Sequence, residues 1–409
     1  MAGHDKQKQT AGRLPMGGGP FPAVRRGRAL MHYRLANERD MDALIDFIDM
    51  VFSMVRVPHD FEAILPKVYG PGRSKPEIHV IAEDDAGRLC GCLGMLTYPL
   101  RVAGRTLRVG YLGSMAVHPR ARGQGVMGEL LRRQIARAQE LGLDLLALGG
   151  QRQRYGFSGF ENGGITYGYS VSQANVRHAL ADVDASALTL HDAVEVDVPH
   201  LHALYDAQIV AGARSEADFL TILGSYGHRT VTVERDGEPV GYLCVSGDGL
   251  AVDELVTASP SLILPTVKRY AQQQKAPVLH IAAAPHDVAL NRLLAPICES
   301  DAITPCCMLR VLRPERVLDA YMRLRNSLVP MESGQLVLGW EGLGAYRLSV
   351  EAGETAVEAT NLPPDISLPG RAMHSLLFAG NRYAAPETQN ALVRSWLPLP
   401  VYIPVPDRF

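Results

Sequence analysis

The chain has 409 residues, 47% of them hydrophobic and 21% charged, and its formal net charge is −2. That length exceeds one ordinary domain and suffices for two or three, each with a core of its own. A charge so close to zero argues against nucleic acid as a partner. No apolar run approaches the roughly 18–20 residues that cross a bilayer, and the first residues lack the apolar segment of a secretion signal.

The six cysteines, Cys90, Cys92, Cys244, Cys298, Cys306 and Cys307, include no C-x-x-C pair and form no zinc pattern with histidine. They read as buried thiols of a cytoplasmic protein, with no metal expected.

Residues 1–30 are polar, basic and glycine-rich, with Gly17-Gly18-Gly19-Pro20 and Arg25-Arg26-Gly27-Arg28, and read as a disordered tail. Tyr33–Ala36 predicts a short strand. Asn37 predicts the cap of a helix whose Leu44, Phe47, Ile48 and Val51 share one face. Pro58, Pro66, Pro71 and Pro76 then break the stretch that begins at Met54. It reads as an irregular loop in which Arg56, Asp60, Glu62 and Lys67 are ordinary solvated charges, the alternative being that the loop borders a ligand site. Ile78–Glu83 and Leu89–Leu96 predict strands joined at Asp84-Asp85-Ala86-Gly87, with a further turn at Ala103-Gly104.

The most informative stretch is Val109–Leu131. It begins as an apolar strand, turns at Pro119, passes a basic glycine-rich loop and enters a helix. Met127, Leu130, Leu131, Ile135, Ala138 and Leu141 recur at helical spacing. A helix that opens on Gly123 and Gly125 offers unpaired N–H groups and the positive end of its dipole beside Arg120 and Arg122, which is an anion site. The spacing is not the G-x-G-x-x-G of a dinucleotide loop, and the Lys-Ser/Thr of a nucleotide-triphosphate loop is missing. Leu143–Leu148 follows as a buried strand. Residues 31–164 therefore read as an α/β unit whose ligand lies where neighbouring strands diverge.

Residues 165–305 echo that order. A helix with Val198, Leu201, Leu204, Tyr205 and Ile209 precedes a hairpin over Thr230–Val245, a strand at Leu250–Val256, a helix over Ser261–Gln273 and a strand at Val278–Ala283. Where the first unit has Arg120-x-x-Gly-x-Gly, this one has Ser259-Pro-Ser-Leu-Ile-Leu-Pro265, with no glycine or arginine to cradle a pyrophosphate. From residue 306 the pattern becomes α+β: a strand at Met308–Val311, a helix over Pro314–Leu324, strands at Gln335–Trp340, Ala345–Val350 and Glu354–Ala359, and a short helix at Arg371–Ala379. The apolar, proline-rich end, Leu397–Phe409, reads as an extended and packed segment.

The pattern Arg120-x-x-Gly123-x-Gly125, entered from the strand Leu112–Val117, resembles the acyl-coenzyme A loop of the GCN5-related N-acetyltransferases. The resemblance implies that Met115, Ala116, Val117, Arg120, Arg122, Gly123, Gln124, Gly125, Val126 and Met127 hold acetyl-coenzyme A. Tyr155, just past the next strand, would then stand near the thioester sulfur, with a phenol suited to protonating a departing thiolate. Phe157 and Phe160 read as packing at the edge of the domain.

Two tandem acetyltransferase-like units, the second degenerate, followed by a unit similar to the sterol-carrier fold and ending at Phe409, resemble the Eis (enhanced intracellular survival) family over residues 31–409. This implies acetyl-coenzyme A-dependent N-acetylation of primary amines such as aminoglycosides, polyamines or lysine side chains. It further implies direct transfer, with Tyr155 as general acid and the terminal carboxylate of Phe409 as general base, in a homo-oligomer that is commonly a hexamer in that family. The acceptor would be a small-molecule amine or a lysine-bearing partner, with no nucleic acid and no membrane. Two features depart from the acidic, aromatic acceptor pocket of the family: Arg408 adjoins Phe409, and Gln151–Arg154 is basic. The alternative of a different class is a non-catalytic protein that binds acyl-coenzyme A or an apolar ligand.

Overall fold

The structure, a computed structural model, describes residues 30–55, 57–275 and 277–409; the glycine- and arginine-rich tail and Arg56 lie outside the described residues. The first unit consists of β1 (His32–Leu35), α1 (Met41–Ser53), α2 (Phe61–Ile64), α3 (Pro66–Tyr69), β2 (His79–Glu83), β3 (Leu89–Val102), β4 (Arg105–Val117), α4 (Val126–Glu140) and β5 (Leu145–Leu148). β1 to β4 are antiparallel neighbours and β5 joins β4 in parallel. α1 buries Leu44, Phe47, Ile48 and Val51 on the face that carries Cys92 and Ala116, while α4 buries Val126, Leu130 and Leu131 on the face of Leu93 and Leu112. The sheet thus has a helix layer on each side, and a ligand reaches its middle only where strands part.

The stretch expected to be an irregular loop is instead two helical turns. The Asp60 carboxylate accepts the Ala63 N–H at 3.0 Å and caps α2, while Pro66 opens α3, where its missing N–H has no helical partner to lose. Phe61, Leu65, Val68 and Tyr69 are buried, and so is Lys67, at 4% exposure. The reading of Lys67 as a solvated charge is therefore corrected.

The strand Cys307–Val311, assigned by sequence to the C-terminal unit, belongs to the first sheet. It lies antiparallel to β5 and to the strand Glu161–Gly163. Leu145, Leu146 and Ala147 of β5 are fully buried, so the far edge of β5 needs a backbone partner, and a distant segment supplies it.

The second sheet runs in the order Ser300–Thr304, Thr166–Ser172, Val278–Ala283, Ala251–Thr257, Glu238–Val245, Arg229–Arg235, Leu188–Asp192. Its one parallel pair, Ala251–Thr257 with Val278–Ala283, repeats the β4–β5 arrangement. The third sheet pairs Gly334–Trp340 with Gly344–Glu351, Gly344–Glu351 with Glu354–Thr360, and Gly334–Trp340 in parallel with Ile366–Leu368. The last residues are extended and buried, as expected, and they leave this third unit to cross the other two. Among the described residues no helix is long and apolar enough to cross a membrane, and no three His, Cys, Asp or Glu side chains are grouped to hold a metal.

Candidate active site

The site starts from an interruption in β4. Pairing with β5 ends at Leu112–Leu148, although β4 continues to Val117. On its other side β4 pairs Gly113 with Gly94 and Ala116 with Cys92, so Ser114 and Met115 stand opposite the single residue Leu93. This is a β-bulge, and Ser114 takes φ 51°, a left-handed value that a non-glycine residue adopts only when its surroundings enforce it. The bulge twists the end of β4 away from β5 and frees backbone groups of residues 113–117 toward a ligand. A buried cluster holds it: Tyr69 Oη lies 2.8 Å from Ser114 Oγ and 2.8 Å from His79 Nε2. His79 Nδ1 lies 3.1 Å from the Lys75 carbonyl, and burial pushes this histidine down to about 4, so it is neutral at pH 7.

Beyond the bulge the chain enters the glycine loop and α4. Gly123 and Gly125 have φ 75° and 85°, and a Cβ built at either would meet open space. Backbone conformation, and not crowding, requires glycine at both positions. The loop therefore leaves the first turn of α4 open, and a cavity of about 460 Å³ lies there. Met115, Val117, Arg122, Gly123, Gly125, Val126 and Met127, all named from sequence, line it. Ala116, Arg120 and Gln124 sit apart from it. Ala116 is fully buried in the core. The Arg120 N–H donates to His118 Nδ1 at 3.1 Å, and its carbonyl accepts from Gln124 Nε2 at 2.9 Å, so these residues shape the loop. An arginine, the N–H groups at the head of α4 and an apolar wall of Val51, Phe52 and Val55 suit a pyrophosphate with an attached pantetheine arm.

Tyr155 and Arg154 complete the wall of the same cavity. Burial raises the Tyr155 phenol above its usual value, against a smaller opposing effect of Arg154, so the hydroxyl keeps its proton at neutral pH. Gly150 makes room for it, since a Cβ there would lie 2.3 Å from the Tyr155 ring. The basic run at Gln151–Arg154 is partly neutralised. Arg152 pairs with the buried carboxylate of Glu161, which Arg371 also binds at 2.8 Å. Phe160 is fully buried, whereas Phe157 is 95% exposed and packs no edge.

The C-terminal segment arrives on the α1 face of the sheet. The Phe409 ring lies 6.1 Å from the Tyr69 ring and 6.3 Å from that of His79. A Cβ on Gly113 would stand 2.6 Å from the carboxyl carbon of Phe409, and one on Gly94 would stand 2.4 Å from its ring. The terminal carboxylate thus rests on the bulge, two residues from Met115 in the cavity wall. Arg408, which adjoins it in sequence, points elsewhere, and its guanidinium donates to the Ile403 carbonyl at 3.2 and 3.0 Å. Lys67 Nζ donates to the carbonyls of Pro406 and Arg408. Asp407 accepts from Arg214 at 2.8 Å and from the Tyr205 hydroxyl at 3.1 Å.

Residues 32–161, which contain the bulge, the loop and Tyr155, match the family model described as an acetyltransferase (GNAT) domain. The chain carries a GNAT acetyltransferase domain. It is an acetyltransferase, and acetyl-coenzyme A is its co-substrate. No curated protein matches the sequence. The solved structures it is similar to include a GCN5-related N-acetyltransferase from Anabaena variabilis, with TM-score 0.66 and 17% identity over 90% of this chain and 96% of that one. A GCN5-related N-acetyltransferase from Kribbella flavida gives TM-score 0.64 at 17% identity, covering 90% and 96%. Eis1 from Mycobacterium abscessus gives 0.63 at 18% identity, covering 93% of this chain and all of that one. At these identities the likeness is one of fold, and it extends over all three units.

In this acetyltransferase the sequence reading missed residues that come from outside the motif. Val51 and Phe52 lie in the last turn of α1; the apolar spacing marked Val51 as buried but not as a cavity wall, and it did not mark Phe52. Lys67 lies in the apolar run Ile64-Leu65-Pro66-Lys67-Val68-Tyr69, and that isolation is the one sequence signal of its burial. Arg214 gives no such signal, because its partners Glu254 and Asp407 are remote in the chain.

Proposed function

We propose that the protein moves the acetyl group of acetyl-coenzyme A directly to a primary amine, on a small molecule or a lysine side chain, with Tyr155 as general acid and the Phe409 carboxylate as general base. The observation that carries this reading is the seat of the terminal carboxylate on Gly113, two residues along β4 from Met115, which lines the same cavity as Tyr155. Acetyl-coenzyme A supplies the acetyl thioester. Arg122 and the N–H groups at the start of α4 bind its pyrophosphate, and the freed backbone N–H groups near Met115–Val117 stabilise negative charge on the thioester oxygen.

The protons balance as follows. An ammonium cannot attack, so the Phe409 carboxylate takes one proton from it and attracts the cation that carries it. The free amine forms the C–N bond while the C–S bond breaks. Tyr155 Oη protonates the departing thiolate, the nitrogen's second proton passes to the tyrosinate so formed, and the carboxylate loses its proton to solvent. One proton is released to solvent for each amide formed, and no covalent enzyme intermediate is needed. Holding both substrates in one site supplies much of the remaining rate.

Thiol release from acetyl-coenzyme A, followed across polyamines, aminoglycosides and lysine peptides, tests the reading. Tyr155→Phe is expected to lower kcat about 10²–10⁴-fold while acetyl-coenzyme A still binds. A thioester that stays intact with every amine would count against amine transfer.

A further inference from the structure

A second cavity, of about 500 Å³, has Asp407 of the C-terminal segment in its wall, together with Leu96, Thr97 and Tyr98 of β3. On the β3–β4 ladder Phe409 sits at the Gly94–Gly113 rung. The coenzyme A cavity lies toward Val117, and this one lies the other way, toward the rungs of Leu96 and Tyr98. An acceptor whose far end lies here would extend its amine along the β3–β4 ladder, past the Gly94–Gly113 rung, toward the coenzyme A cavity.

The charge of this cavity is unbalanced. Arg73 is paired with Asp218, and Arg214 with Asp407 and Glu254. Lys67 and Lys75 remain, and among the described residues neither has a carboxylate within 4.0 Å. Lys67 donates only to the carbonyls of Pro406 and Arg408, and Lys75 to the Lys67 carbonyl at 3.2 Å. The Tyr98 hydroxyl, also in the wall, is buried without a hydrogen-bond partner. Burial depresses both lysines. Lys67 falls to about 7, with Arg214, Lys75 and Arg408 opposing the pull of Asp407; Lys75 falls through burial and then Arg73. An anion between the two lysines restores both ammonium charges and gives Tyr98 an acceptor.

Resting on the amine-transfer reading above, we propose that the acceptor carries, besides its amine, an anionic group (carboxylate, sulfonate or phosphate) that this cavity seats between Lys67 and Lys75. A polycationic amine meets like charge there and is selected against.

Matched acceptors whose amines have similar basicity test this: 6-aminohexanoate against 6-aminohexanamide, and taurine and phosphoethanolamine against ethanolamine. Thiol release is measured for each. The anionic member is expected to show a kcat/KM about tenfold or more higher. Which of carboxylate, sulfonate and phosphate leads identifies the anion. Lys67→Met would also release the C-terminal segment, so the half-buried Lys75 is the better probe. Lys75→Gln is expected to bring the ratio to within about twofold, mainly by raising KM, and Lys75→Arg to preserve it. Equal rates, preference for the neutral member, or a ratio untouched by Lys75→Gln would overturn the proposal. Calorimetric titration of the same amines into the full chain with coenzyme A separates the two readings. Lys75-dependent binding of the anionic amine without turnover sinks amine transfer and keeps the anion site; no such binding sinks the site.

Discussion

Gly113 has no room for a side chain because the terminal carboxyl group stands 2.6 Å from where its Cβ would be. The flexible residue in that contact is the chain end, so Gly113→Ala moves the carboxylate before it moves the sheet. The variant is expected to lower kcat at least about tenfold with little change in acetyl-coenzyme A affinity, since the cavity proposed for the coenzyme lies on the far side of the bulge. Calorimetry and thiol-release kinetics check the two halves. A second residue-level effect concerns pH. Burial holds His79, His286 and His374 near 4, below the usual histidine value of 6.5. Between those values the unfolded chain binds protons that the folded chain does not, so stability is complete above pH 6.5 and is lost as pH falls toward 4. The slope is at most about 1.4 kcal/mol per pH unit for each histidine. Urea midpoints at pH 7 and pH 5 should show this loss. His374, whose two ring nitrogens have no partner, is the clearest contributor, and His374→Leu should flatten the acid limb.

At the scale of elements, what could be read from sequence was whatever is encoded locally. The helix face of α1, the β3–β4 turn, the glycine loop and the start of α4 all appear where apolar periodicity and turn residues put them. The bulge was not legible, because nothing in Gly113-Ser114-Met115 fixes a register; that depends on pairing with Gly94 and on the Tyr69–His79–Ser114 cluster beneath. The place of Cys307–Val311 in the first sheet was hidden for the same reason, since its partners lie some 160 residues upstream. Tyr155 reaches the wall of the glycine-loop cavity because it follows β5 closely, whereas Lys67 was read as solvated because proline spacing suggested loop and hid a buried turn. The Arg214 contact makes an element-level prediction. Arg214 is fully enclosed, stacks 3.7 Å from the centre of the Tyr205 ring, and neutralises both Glu254 and Asp407. Arg214→Met leaves buried Asp407 and half-buried Glu254 without their cation and should destabilise the protein by about 3–5 kcal/mol. Hydrogen exchange should rise first over residues 400–409, because Asp407 is the anchor that is lost.

The whole molecule explains why the site needs three units. The first contains the bulge, the loop and Tyr155. The second supplies Arg214, Tyr205 and a wall of the second cavity. The third delivers a chain end that is mostly buried from Leu397 onward and latched to both: Asp407 on Arg214, Lys67 on two carbonyls, and Phe409 on Gly94 and Gly113. The proposed base is a terminal carboxylate, a charge that no internal phenylalanine would have, and this permits a direct experiment. The protein is prepared by semisynthesis with Phe409 as a carboxamide, which keeps the ring and the shape and removes only the charge. Acetyl-coenzyme A binding and amine-dependent thiol release are then compared with those of the carboxylate form. The account predicts unchanged coenzyme binding and a kcat lower by about 10²-fold or more. Equal rates for the two forms would contradict it and reduce the terminal residue to a packing element.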